Sequence, residues 1–248
     1  MAIYDEDSID ANTSQLFASQ ATSESVRQTY LNSLGQVYEN VVLGENTSRI
    51  FNEDPKLLLF TLSRYKFVSK MLRGSSDVLE IGCQEGFGAQ LVAREVNHYL
   101  GVDFYLPYIE HASKRAKVKN MDFSSHDILE GRILNSRRAS GKFDAIFSLD
   151  VIEHIDPQDE RAFLENSVSS LEEGGVMITG TPSLESQAYA STASKVGHIN
   201  CKSAPELQAL LKKYFKHVFI FSLNDEVMHT GFWPMSHYIM ALACEPKM

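Results

Sequence analysis

The sequence predicts an α/β chain: a doubly wound, mostly parallel sheet of seven strands with an antiparallel last strand, preceded by N-terminal helices. Three observations lead there. The run Val78-Leu-Glu-Ile81 turns into a loop with Gly82, Gly86 and Gly88 and then into helix-like sequence, so the backbone can bend tightly at a strand end and present free helix N–H groups to a ligand. A second apolar run, Tyr99-Leu-Gly-Val-Asp103, closes on an acid about twenty residues after that loop, where doubly wound sheets place a carboxylate on ribose hydroxyls. From Asp77 onward, strand and helix patterns alternate with short connections.

The elements follow in order. Residues 1 to about 20 are polar, lack apolar periodicity and read as a mobile segment or as a strap ordered only with ligand. Val26, Tyr30, Leu34, Val37, Tyr38 and Val41 recur at helical spacing, and so do Leu58, Leu62, Tyr65, Val68 and Leu72 after Pro55. The first of these two helices is expected to cap the cleft and the second to pack on the sheet. The chain therefore divides into a strap and cap helix (1–54) and a main domain (55–248). Ala145–Leu149 and Val176–Thr179 are short apolar runs suited to burial on both faces, joined by a helix carrying Phe163, Leu164, Val168 and Leu171. Ser203-Ala-Pro-Glu206 matches a capping box, followed by Leu207, Leu210, Leu211 and Phe215 on one face. Val218–Leu223 and His237–Cys244 have no helical pattern between them, which predicts an antiparallel pair at the sheet edge. The polar, Ala/Ser-rich segment from Ser183 to Gly197 reads as a lid.

Glycine spacing narrows the ligand. A dinucleotide loop needs G-x-G-x-x-G and a P-loop ends in Gly-Lys-Ser/Thr; this chain has G-x-x-x-G-x-G. Glu80, still on the strand, would face pyrophosphate oxygens with no basic residue nearby, and suits a cationic ligand instead.

With Val78–Gly88, four further segments resemble, in order and spacing, the motifs of class I S-adenosylmethionine-dependent methyltransferases. They are Asp103, Ser125-His-Asp127-Ile-Leu, Phe143–Ile155 and Leu171–Gly180, and the resemblance covers roughly residues 56–245. It implies the Rossmann-like methyltransferase fold and S-adenosylmethionine as cofactor, with Asp103 on the ribose, Asp127 on the adenine amino group, and Glu80, Gly82, Gln84, Gly86 and Leu149 completing the cofactor site. The chain departs from the family at Gln84, where a further glycine is usual.

Composition excludes several other classes. A net charge of −9 opposes general affinity for nucleic acid, whose binding depends on lysine and arginine neutralising phosphates. No apolar run is long enough to span a membrane and the N-terminus lacks a secretory pattern, so a cytoplasmic enzyme is expected. The three cysteines Cys83, Cys201 and Cys244 are widely spaced and read as reduced thiols. Lys114–Lys119 and Arg137-Arg138 read as solvated faces.

Methyl transfer to a hydroxyl requires loss of a proton, and histidine is the usual acceptor. His198 in Gly197-His-Ile-Asn200 resembles a segment of small-molecule methyltransferases; His154, after the fourth strand, and His229, between the last two, are the other candidates. Asp150, Glu153, His154 and Asp156 cluster in sequence, but Asp-x-x-Glu-His alone is not a ligand signature, and no metal is assigned. The expected activity is methylation of a small molecule, most simply at oxygen on a sugar or secondary metabolite, with homo-oligomerisation left open. N-methylation, methylation of protein or RNA, and a non-catalytic cofactor-binding module stand as alternatives.

Overall fold

The computed structural model describes residues 22–34, 41–116 and 118–247. By contacts the chain divides into two units, Met1–Val41 and Val42–Met248. In the first, helix α1 spans Ser23–Leu34, opened by Thr22, whose hydroxyl accepts the Ser25 N–H. The expected strap, and Val37 and Tyr38 of the expected cap helix, lie outside the described residues; Val41 is exposed and non-helical.

The second unit begins with two helices, α2 (Glu45–Glu53) and α3 (Lys56–Met71). By contacts, residues 42–54, expected to belong with the strap and cap helix (1–54), group with the sheet-bearing unit. Strands β1 (Asp77–Ile81), β2 (His98–Asp103), β3 (Met121–Ser125), β4 (Phe143–Leu149) and β5 (Leu171–Pro182) follow, with helices α4 (Ala89–Ala93), α5 (Leu106–Arg115) and α6 (Glu160–Ser169) in the crossovers. After β5 come two short turns of helix, a 3₁₀ turn at Glu185–Tyr189 and α7 (Thr192–Gly197), then α8 (Ala204–Leu211). Strands β6 (Phe215–Asn224), β7 (Val227–His229) and β8 (Tyr238–Pro246) complete the sheet.

The sheet order is β3-β2-β1-β4-β5-β8-β6-β7. Strands β1 to β5 run parallel, and β8 lies antiparallel between β5 and β6. The expected pairing of the last two long strands is present. The strand count rises from seven to eight because the turn Asp225-Glu226 folds Val227–His229 back on β6, a hairpin of three pairs too short to register as an apolar run. Leu171 and Phe215, expected on helix faces, instead open β5 and β6.

Alternation along each strand sends side chains to two cores. Leu79, Ile81 and Ile146 join Phe163, Leu164, Leu207 and Leu211 on one face; Val78, Ala145 and Phe147 join Val68, Leu72, Val92 and Tyr99 on the other. Both faces are therefore covered, as parallel strands require. At the opposite end of the sheet from the glycine loop, Arg138 donates to Asp77 and, through two nitrogens, to Asp144, at 2.7–2.8 Å. That corrects the reading of Arg138 as a solvated charge. Strand order reverses between β1 and β4, so a crevice opens at the carboxyl ends of these strands.

Candidate active site

The loop after β1 is built on left-handed backbone. Gly82 has φ +79°, and a Cβ there would stand 2.4 Å from Val151 Cγ2. Gln84, at φ +46°, adopts a conformation that ordinarily favours glycine, and its side chain is held by the amide of Asn46, whose Nδ2 donates to Gln84 Oε1 at 2.9 Å. This is where the chain departs from the family's usual glycine. The neighbouring Glu85 carboxylate reaches the start of α2, which has no side-chain cap of its own, and accepts the Asn46 N–H (2.9 Å), the Thr47 N–H (3.0 Å) and the Thr47 hydroxyl (2.8 Å). Burial would raise the Glu85 pKa, but these donors outweigh it and hold the carboxyl below its ordinary value.

Two cavities meet at this loop. The larger, about 480 Å³, is lined by Gly82, Gln84, Asp103 and Asp127, with Ile81, Phe104, Tyr108, Ile128, Leu129 and Ile155 as walls. The other, about 320 Å³, runs between α2, α3 and the ends of β1 and β4, and is lined by Asn46, Thr47, Ile50, Leu149, Glu153 and His198 among others. Gly82, Gln84, Asp150 and His154 border both.

Asp103, buried at the tip of β2, accepts the Gln84 N–H through Oδ2 (3.0 Å) and the Tyr105 N–H through Oδ1 (2.9 Å). Asp127, just past β3, accepts the Leu129 N–H at 2.9 Å. Glu80 lies elsewhere. It shares the face of Val78, points toward α3, and takes the hydroxyls of both Tyr65 and Tyr99, so it lines neither cavity. Burial pushes its pKa up to about 7. Gly86 also stands behind the crevice, where a Cβ would meet the Phe123 ring at 2.7 Å.

At the junction, Asp150 has φ +57° and pairs with Arg64, whose Nη1 stands 2.8 Å from Asp150 Oδ2 and whose guanidinium covers the Tyr238 ring at 3.7 Å. Glu153, fully buried in a 3₁₀ turn (Ile152–His154), accepts the Thr181 hydroxyl at Oε2 (3.1 Å), while Oε1 has no partner. Burial, with the charge of Asp150 beside it, pushes Glu153 up to about 8. His154 and His198 meet edge to face with centroids 5.1 Å apart. Burial first, and then the His154 ring, lower the His198 pKa, so this imidazole is neutral at pH 7. His229 is not part of the group: it sits on β7, its Nε2 against Asn224 Oδ1 and its Nδ1 accepting the Gly231 N–H, and it lines neither cavity. Tyr189, Phe232 and Trp233, aromatic residues of the neighbouring connections, also line neither.

The fold and this crevice define a doubly wound α/β domain with a ligand cleft at the carboxyl ends of its strands. Residues 78–175 match a family model described as a methyltransferase domain. A probable S-adenosylmethionine-dependent methyltransferase of Mycolicibacterium smegmatis is 30% identical over 106 residues, 43% of this chain and 38% of that protein. A ubiquinone biosynthesis O-methyltransferase of Maricaulis maris is 30% identical over 114 residues, 46% of this chain and 43% of its own length. These matches span less than half of the curated relatives. The crystal structure of the N-methyltransferase NodS from Bradyrhizobium japonicum with S-adenosyl-L-homocysteine shares the fold, with a TM-score of 0.58 and 20% identity over 89% of this chain and 98% of that one. What the chain shares with these proteins is thus a segment matching a methyltransferase domain, and the curated relatives matched are named as methyltransferases.

The residues present fit S-adenosylmethionine. The 480 Å³ cavity offers apolar walls for an adenine ring, a buried carboxylate at Asp103 for a vicinal diol, and a second at Asp127 for an exocyclic amine. Arg64, Glu85 and α2 were not foreseen as site features. The 45–53 helix escapes a periodicity search because its apolar residues, Ile50 and Phe51, are adjacent and only Thr47 is buried.

Proposed function

We propose that this domain methylates a hydroxyl of a small molecule held in the 320 Å³ cavity. The observation that carries the reading is the confluence of the two cavities at Asp150 and His154, with a cluster of Glu153, His154 and His198 at the point where cofactor and acceptor would meet. Bound S-adenosylmethionine supplies a methyl on a positively charged sulfur, and its transfer to a hydroxyl forms an O–C bond, leaves the C–S electron pair on sulfur and sets the hydroxyl proton free. The chain's residues do the rest. Asp103 holds the ribose hydroxyls, Asp127 the adenine amine, and Gly82, Gln84 and Leu149 shape the passage to the acceptor. Asn46, Thr47, Ile50 and Leu58 enclose the acceptor and exclude water.

Release of a proton falls to the cluster, whose His198 is neutral and whose Glu153 oxygen is unpartnered. An amine acceptor arriving neutral has little use for such a group, which favours oxygen over nitrogen. The name of the Maricaulis maris relative, an O-methyltransferase, agrees with that choice. The test is transfer of labelled methyl from S-adenosylmethionine into a cell extract separated into small-molecule, protein and RNA fractions. Label in the small-molecule fraction, stable as an ether or ester, is expected; label confined to protein or RNA overturns the proposal.

A further inference from the structure

We propose that Glu153, His154 and His198 form a binding site for a divalent first-row transition-metal ion, at the junction of the two cavities. One ligand atom from each of these three side chains lies within 4.8 Å of the others, close enough for all three to meet one ion. Glu153 is fully buried, and its Oε1 has no hydrogen-bond partner. A polar oxygen left unpartnered in that position is costly unless a ligand completes it.

The two imidazoles are set for the same task. His154 Nδ1 lies 2.8 Å from the carbonyl of Gly197, which can only accept, so the proton sits on Nδ1 and the Nε2 lone pair is free. His198 Nδ1 lies 2.9 Å from Gln187 Oε1. The orientation of that amide is fixed independently, because Gln187 Nε2 donates to the carbonyl of Ser183 at 3.2 Å. His198 is therefore also the Nδ1–H tautomer with Nε2 free. A carbonyl behind each ring is the outer-shell arrangement that orients metal-binding histidines.

The backbone clamps the two halves of the cluster. Asn200 N donates to the carbonyl of Glu153 at 2.9 Å, and Asn200 Nδ2 donates to Glu160 at 3.0 Å. His198 is thus carried to Glu153 by main-chain pairing, without help from the ring contacts. Two imidazoles and one carboxylate, with further positions open toward both cavities, suit Mn²⁺, Fe²⁺, Co²⁺ or Zn²⁺ over Mg²⁺ or Ca²⁺, which prefer all-oxygen shells. Asp150, bordering both cavities, adds negative charge to the site, although Arg64 offsets part of it.

This deepens the proposed function and rests on it for its role: an ion here would bind the acceptor's oxygen and lower its proton affinity, with the two imidazoles serving as ligands in place of proton acceptors. The experiment reads binding directly. Full-length protein stripped with chelator is titrated with Mn²⁺, free ion being followed by electron paramagnetic resonance, and with Co²⁺, followed by its visible absorption. One bound equivalent is expected. Glu153→Gln and His198→Ala should each weaken it by at least about tenfold, and Gln187→Leu, which removes only the carbonyl behind His198, by about tenfold. Calorimetric titration with S-adenosyl-L-homocysteine shows whether each variant remains folded and cofactor-competent; His198 and Gln187 are partly exposed, so their variants keep the test valid should the Glu153 change fail to fold. Absence of binding at millimolar Mn²⁺ and Co²⁺, or binding untouched by the His198 and Gln187 changes, overturns the site. Ion binding without methylation of any small molecule leaves the site standing and removes the proposed function. Chelator-insensitive methylation by a protein that binds no ion does the reverse.

Discussion

Glu85→Ala should destabilise the protein through a helix it does not belong to. In the native protein the Glu85 carboxylate accepts two backbone N–H groups and one hydroxyl at the start of the Glu45–Glu53 helix, at 2.8–3.0 Å, and is itself buried. Losing a helix cap costs roughly 0.5–2 kcal/mol, and hydrogen bonds to a charged acceptor contribute roughly 1.5–3 kcal/mol each. Because the three share one carboxylate they do not add, and about 3 kcal/mol is expected. For a domain of this size, that lowers Tm by about 6–12 °C. Acid should narrow the difference. The folded-state pKa of Glu85 is depressed, so its contribution is full above the ordinary carboxyl value of 4.5 and is lost as pH falls through the lower folded value. Calorimetric scans at pH 7 and at successively lower pH should therefore separate wild type from variant at pH 7 and show the gap narrowing as pH falls below 4.5. A Tm at pH 7 unchanged within a degree would refute the capping role.

Two more outcomes follow from the site. Glu80 has the opposite linkage: its pKa rises from 4.5 to about 7, so stability is full below pH 4.5 and declines as pH rises through 7, by about 3 kcal/mol. In Glu80→Gln, urea denaturation at pH 5 and pH 8 should show that decline reduced by a comparable amount, while an identical pH dependence in both proteins would place the titration elsewhere. Asp103→Ala should weaken S-adenosyl-L-homocysteine binding by about 1.5–3 kcal/mol, as expected for a lost hydrogen bond to a charged group. Calorimetry reads it, and an unaltered Kd would contradict the ribose assignment.

Long-period signals were legible from sequence alone. Val78–Gly88, Asp103 and Phe143–Leu149 are local patterns in which apolar runs, glycines and a terminal acid determine strand, turn and ligand side together, and Gly82, Asp103 and Asp127 border the larger cavity accordingly. Contacts between distant segments were not legible. Arg64 meets Asp150 across 86 positions and Glu85 meets Thr47 across 38, and neither residue type nor spacing announces such a pair. Glu80 shows a further gap: its motif position was apparent, but its two tyrosine partners turn it away from the cavities. His229 was selected as a histidine in the connection between the last two long strands, and the Val227–His229 hairpin holds it on β6, where it lines neither cavity.

The final strand has a consequence for biosynthesis. Tyr238–Pro246 fills the gap between Leu171–Pro182 and Phe215–Asn224, bonding to both, so the two inner strands have no direct register with each other. Until Tyr238–Pro246 has been made and has emerged, the nascent polypeptide exposes two unmatched edges, Val176–Pro182 and Phe215–Leu223, to any neighbouring chain. Completion of the sheet must await that strand, and a chain cut before Tyr238 should yield an aggregating product rather than a smaller enzyme.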